Sequence, residues 1–562
     1  MEENTKVMEN QEKKKHSSKK KWLIGIVAVV AVLFLVVALA GARMENTIRK
    51  IVSSPESYYQ WVEKNVAKET ASAIAELYDT YLTQMEKSFD TGYKAELEVA
   101  LSEAGQEVVE MVTLLTGMAG MDVSWLESAS IIAVGNMNDT AMQSLIEVAL
   151  GKDTIVSFDI IMDYAKELVA YLAIPELSKQ YIGVETGMDG QEVGIESSKH
   201  ILEILKRELP DSATLEKMLY RYFSIIIEEM NKVEKTDSIL KVEQIAQKCT
   251  ELEVTIEDDI TEQVVNALIK ELKEDTELKQ YIIAIVDALK AEYEETEVSG
   301  AEAYEKFLVF LGDLENESKN YNQTMVMNLS VDNYGMVIAR KVKLSDDSST
   351  IEAGLLLPRD GKEIAMNAYV IPEKNGETYA VVGTGTISGL DMIGDFAIEY
   401  NGTKLVNINV KDLDIASIRK GYLCGEFTMQ MPDIIGDIVG SAYLGNTLSE
   451  LQFILNIWTE EDSSDIELSI VNGEEEWLKI TTVAEFFEAK KVSLPEEKNT
   501  IVVQEVTDLK EYWNSIDWDG FINHLKETPL HSDVIAILEE LSEFTFEELY
   551  MYILYLSYMG MA

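Results

Sequence analysis

The chain has little of what small secreted or metal-held proteins are built on: two cysteines, four histidines and eight prolines in 562 residues. Cys249 and Cys424 are too few for a disulfide framework or a four-cysteine zinc site. They leave two readings open, one long-range disulfide in an oxidising compartment or two isolated buried thiols. Proline this scarce, with only 31 glycines, excludes collagen-like and low-complexity classes. Positive charge is scarce as well. Lys plus Arg number 48 against 100 Asp plus Glu, a formal charge of −52, and a chain this acidic repels phosphates, so nucleic acid is not an expected partner.

Recognisable chemistry is also missing. There is no HExxH, and His524 and His531 read as surface residues of C-terminal helices. Ser417-Ile418-Arg419-Lys420 fits S-x-x-K but has no KTG companion. Gly383-Thr384-Gly385-Thr386-Ile387-Ser388-Gly389 lacks the lysine of a phosphate loop and continues an alternating strand. Asp517-Trp518-Asp519-Gly520 puts Lys526 where an EF-hand needs its bidentate glutamate, so Asp517 reads as a helix cap. No catalytic, cofactor or metal residue is expected, and the chain reads as non-enzymatic.

What is present begins with Leu23–Ala42, LIGIVAVVAVLFLVVALAGA, without a charge or a strong hydrogen-bonding side chain. As a helix these residues span about 30 Å, the thickness of a bilayer core. Seven lysines precede the run, while Arg43, Arg49 and Lys50 follow it. The positive-inside bias therefore expects residues 1–22 as a basic cytoplasmic tail, 23–42 as a single transmembrane helix and 43–562 as extracytoplasmic. A cleaved signal peptide is the rival, since Ala38-Leu39-Ala40 fits a small-x-small site. The first 50 residues hold 10 basic and 5 acidic side chains, so the remainder carries 38 against 95, a formal −57.

Within the exported part the periodicity alternates between helix and strand. Pro55 to Phe89 reads as an amphipathic helix, and Tyr93 to Leu101 as a half-buried strand. Ser128 to Glu185 reads as an antiparallel meander, followed by helical stretches from Ile201 to Leu314 interrupted by one strand at Glu251–Ile256. Glu315 to Asn322 is the best candidate linker. A second β-rich block follows, with hairpin dipeptides at Asn375-Gly376, Asn401-Gly402 and Asn472-Gly473. The expected fold is therefore α+β: two lobes of curved antiparallel β-meander covered by helices, after one transmembrane helix. The expected boundaries are a helix-rich lobe at 43–320 with its meander at 128–185, a β-rich lobe at 321–505 and C-terminal helices at 506–562.

Tyr171-Leu172-Ala173-Ile174-Pro175-Glu176-Leu177, running on to Tyr181-Ile182, resembles a strand-and-turn motif of uncharacterised single-pass Gram-positive envelope proteins. The wider pattern of long antiparallel strands with helices is similar to the half-barrels of LolA and LppX-type lipoprotein carriers. That resemblance implies an acyl chain bound between sheet and helices, although this chain has no lipidated cysteine after its apolar segment and carries over no binding residue. The methionine-rich strand faces give the candidate apolar-ligand surface: Met325, Met327, Met366, Leu423, Phe427, Met429 and Met431. Two functions follow as expectations. One is a membrane-anchored protein holding a lipid or other apolar ligand; the other is a structural or assembly protein of the envelope with filled cores, acting through protein contacts.

Overall fold

The structure, a computed structural model, describes residues 46–115, 127–189, 195–292, 298–319, 324–345, 350–372, 376–430 and 451–551. The segment Leu23–Ala42 and the candidate Met431 lie outside these residues, and among the described residues no helix is long and apolar enough to cross a membrane. The fold is α+β, with antiparallel sheets and helices.

The described helices are Asn46–Val52 (α1), Pro55–Ser88 (α2), Glu103–Leu115 (α3), Ile195–Glu208 (α4), Ser212–Glu229 (α5) and Asp258–Glu274 (α6). Thr276–Glu292 (α7), Gly300–Ser318 (α8), Ile415–Arg419 (α9), Leu509–Ser515 (α10), Trp518–Lys526 (α11) and Ser532–Ser542 (α12) follow. The first strands are Thr91–Leu101 (β1), Ser128–Asn138 (β2), Ala141–Leu150 (β3), Asp153–Asp163 (β4), Glu167–Ala173 (β5), Tyr181–Asp189 (β6) and Val233–Val242 (β7). Next come Ile245–Ile256 (β8), Thr324–Val331 (β9), Val337–Ser345 (β10), Thr350–Leu356 (β11), Arg359–Asp360 (β12), Glu363–Ile371 (β13) and Tyr379–Ser388 (β14). The last are Asp391–Tyr400 (β15), Thr403–Asp414 (β16), Cys424–Gln430 (β17), Leu451–Thr459 (β18), Ser463–Asn472 (β19), Glu475–Glu488 (β20) and Thr500–Val502 (β21).

The chain forms two compact units, and they are not the consecutive stretches 43–320, 321–505 and 506–562. Of the described residues, unit 1 combines those from 46 to 81, 206 to 388 and 394 to 404, and unit 2 those from 82 to 205, 389 to 393 and 405 to 551. The β-rich block beyond 321 is thus divided, its first strands falling in unit 1 and its last in unit 2. The polar stretch from Glu315 is no break either, because α8 runs on to Ser318. Its side chains are the solvated end of an amphipathic helix, whose composition matches that of a linker.

Unit 1 is a meander in the order β7, β8, β9, β10, β11, β13, β14, with β12 paired to β13. Its main core gathers Tyr58, Tyr59, Val62 and Ala67 of α2, Ile227 of α5 and Ile260 of α6 over Leu252, Val254, Leu329 and Val331. Two cations lie in register with that apolar row: Lys235 opposes Leu252, Leu252 opposes Leu329, and Leu329 opposes Arg340. Arg340 pairs with Glu63 of α2 at 2.7 Å, with both side chains almost wholly buried. Burial likewise pushes the neighbouring Tyr59 hydroxyl far above its usual range.

Unit 2 is a longer sheet in the order β6, β5, β4, β3, β2, β1, β20, β19, β18, β17, β16, all antiparallel, with β21 added to β6 in parallel. The pair β1–β20 joins two distant parts of the chain: Tyr93 opposes Phe486 and Leu101 opposes Leu478. Helix α3 sits so close to β20 that a Cβ built on Gly105 would fall 1.9 Å from the Trp477 carbonyl oxygen. Gly105→Ala is therefore expected to push helix from sheet and to cost about 1–3 kcal/mol, the usual range for overpacking. A thermal melt of unit 2 unchanged by this substitution would mean that the helix does not pack there.

Candidate functional site

Strand alternation sorts the unit 2 sheet into two chemically different faces. On one face three cross-strand rows are apolar. The first is Ile408, Met429, Phe453, Ile470, Leu478, Leu101. The second is Val410, Phe427, Leu455, Leu468, Ile480, Val99, Ala129, Leu150. The third, Ile457, Ile466, Thr482, Leu97, Ile131, Val148, Val156, has one hydroxyl. The opposite face carries Lys411, Glu426, Asn456, Glu467, Thr481, Glu98 and Ser130 in one row. Lys411–Glu426 at 2.6 Å and Lys479–Glu467 at 2.7 Å pair across that polar face. A hydrogen bond to the facing carboxylate holds each ammonium above the usual lysine range.

A sheet face this apolar is normally buried. Here, among the residues of the three rows, Val410 and Leu150 are buried and the rest are half-buried or exposed, with Leu97 39% and Ile131 46% accessible. Strands about 4.8 Å apart and same-face residues about 6.8 Å apart give the longest row and its neighbours a footprint of about 34 Å by 14 Å, of which the half-buried side chains leave a part accessible.

The structure divides the seven sequence candidates. Phe427 and Met429 stand on this face, in the second and first rows. Leu423 precedes β17 and is tied through its backbone to the Thr459 hydroxyl, whose oxygen accepts from Leu423 N at 2.9 Å. Met325 and Met327 belong to unit 1, packed against its core, and Met366 opposes Gly383 there. The candidates therefore fall in both units, Met325, Met327 and Met366 in unit 1 and Leu423, Phe427 and Met429 in unit 2. What the list missed was the central part of the face, strands β18, β19, β20 and β1. Their alternation was visible, but not the fact that they neighbour one another.

The other motifs have structural roles. Asp517 caps α11 by accepting from Gly520 N at 3.0 Å. His531 caps α12 by accepting from Asp533 N, and His524 Nε2 lies 2.7 Å from the Thr154 carbonyl oxygen. Ser417 donates to Asp414 at 2.6 Å, and Asp414 accepts from Ala416 N at the start of α9. The Gly383–Gly389 run is the end of β14 and its turn, paired with β13. In the Ile174-Pro175-Glu176-Leu177 turn, Glu176 accepts from Ser157 N and Oγ at 2.9 and 2.6 Å, and Leu177 joins the core of α11 and α12. Cys249 and Cys424 are buried free thiols. Among the described residues, no three His, Cys, Asp or Glu side chains are grouped to hold a metal ion.

No family model and no curated protein matches the sequence. A solved structure to which the chain is similar is the crystal structure of Pseudomonas aeruginosa OpdQ, at 5% identity over 71% of this chain and 96% of that one. The TM-score is 0.10, too low to carry an argument about fold or function.

Proposed function

We propose that the protein is a membrane-anchored, extracytoplasmic, non-enzymatic protein that holds a lipid or another apolar ligand on the apolar face of unit 2. The observation that carries this reading is the incomplete burial of three in-register apolar rows, in which only Val410 and Leu150 are buried, on a sheet whose other face carries a row of charged, amide and hydroxyl side chains. A strongly twisted open sheet rarely exceeds about ten strands without curling, and a curl in this longer sheet would turn one face into a trough. Acyl chains suit such a trough because they ask for contact area and no directional bonds. The half-barrel resemblance and the two-lobe picture of curved sheet under helices point the same way. The run Leu23–Ala42 supplies the anchor, with the N-terminus in the cytoplasm and residues 43–562 outside.

The test is native mass spectrometry of the purified full chain in detergent-free nanodiscs and of residues 43–562 released by proteolysis. The expected result is a bound mass in the lipid range that disappears on organic extraction. A released part with no adduct, even after incubation with acyl lipids, would end the ligand reading. The compartment is tested separately: protease added to intact cells is expected to degrade residues 43–562 and spare the basic tail. The filled core of unit 1 favours a second reading, an envelope assembly protein acting through surface contacts. Co-purification of a partner protein in place of lipid is its signature.

A further inference from the structure

The first described helix, α1, is short, but unit 1 grips it. Lys235 of β7 donates to the carbonyl oxygens of Lys50 at 3.0 Å and Ser53 at 2.9 Å, so it closes the C-terminal end of α1 with a cation. The same ammonium lies 5.5 Å from the Tyr58 ring centroid, while Lys50 pairs with Asp237 at 2.8 Å and Arg49 stacks over Trp61 at 5.3 Å. A lysine beside buried leucines is costly to bury unless it is satisfied, and the end of α1 satisfies it. Helix and sheet are thus locked together.

Against that fixed position, α1 presents Ile51 and Val52 to solvent, 77% and 74% accessible, the most exposed aliphatic side chains among the described residues. Two further facts point to what covers them. Asn46 follows Ala42, the end of the 20-residue apolar run, after three residues, which at about 3.5 Å each keep α1 within about 14 Å of a bilayer core. In the sequence Arg43 precedes it by three residues, with Glu45 between, and Arg49 and Lys50 lie within it, in a chain whose part beyond residue 50 is otherwise strongly acidic. An aliphatic pair flanked by bases is the pattern of an interfacial element on anionic lipid.

We propose that α1 docks into the headgroup layer of an anionic bilayer, with Ile51 and Val52 inserted at the acyl boundary, and that the Lys235 clamp makes unit 1 rigid with it. Unit 1 then stands on the membrane in one orientation. This inference rests on the anchor reading of Leu23–Ala42, and the experiment separates the two. The full chain carrying Ile51→Cys is labelled with a nitroxide and reconstituted into phosphatidylcholine vesicles containing phosphatidylglycerol. Cys249 and Cys424 are buried, so the unmutated chain serves as the blank. Val309→Cys on α8, an exposed site, is the aqueous reference.

Collision with oxygen is expected to exceed collision with a water-soluble nickel chelate several-fold at position 51, with the order reversed at 309. Equal nickel access at both sites, in protein that still floats with the vesicles, would overturn the docking and leave the anchor intact. Protein that fails to float overturns the anchor and the docking with it. Lys235→Met is expected to sharpen the nitroxide spectrum at 51 with flotation unchanged. An unaltered spectrum would remove the clamp from the proposal.

Discussion

Glu63→Gln should destabilise unit 1 by about 3–5 kcal/mol, the usual cost of breaking a buried ion pair from one side. Glu63 is 2% accessible and Arg340 5%, so the guanidinium left behind can neither reach water nor lose its proton. It would keep its contact with Met327 Sδ, a weak acceptor, and its other contacts, but lose the carboxylate that balances its charge. Because the two residues belong to α2 and β10, the loss falls on the packing of helix against sheet. The double variant Glu63→Leu with Arg340→Met is expected to recover most of the stability, since a hydrophobic pair of similar volume pays no desolvation. Urea titration followed by fluorescence, in a background that keeps Trp61 and replaces the other tryptophans by Phe, reads both. A single variant within 1 kcal/mol of the parent would show that the pair is hydrated in solution.

Leu468→Asp is the second large effect, and it falls on binding. Leu468 sits in the middle of the second apolar row, between Leu455 and Ile480. A carboxylate there stays hydrated while the face is open, so the melting temperature should move little. When an acyl chain covers the face the same carboxylate must be desolvated or protonated, which costs several kcal/mol and lowers affinity by at least about a hundredfold. Thr428→Asp on the opposite face is the control and should bind normally. The informative contrast is between binding and stability. If Leu468→Asp instead lowers the melting temperature by many degrees, the face is a filled core and the carrier reading is wrong.

Elements whose order is set by neighbours in the chain were legible. The helix starting at Pro55 follows from its three-and-four spacing. The meander from Ser128 follows from alternating runs closed by short turns. The turn at Asn401-Gly402 has both residues at positive φ, 52° and 76°, as a two-residue hairpin needs. The boundaries were not legible. Alternation says that Val99 and Ile480 each point to one side of a strand, but nothing local says that these strands are partners, so the meander and the final strands were assigned to different lobes. The pairing joins distant parts of the chain and is selected by the whole packed sheet. The candidate methionines are divided for the same reason, because identical alternation puts the half-buried Met327 against the core of unit 1 and the half-buried Met429 in an apolar row of unit 2.

The sequence by itself therefore determined the class of the chain, the expectation of an apolar anchor, the acidic surface, the elements and the amphipathic strands, because composition and short-range periodicity are properties of neighbouring residues. Tertiary structure alone decided which strands share a sheet, which apolar face is covered, and why Lys235 and Arg340 can stand among buried aliphatics. Each of these depends on a partner far along the chain, Leu478 for Leu101, Glu63 for Arg340 and the carbonyl of Ser53 for Lys235, and a residue carries no local mark of the group that will satisfy it.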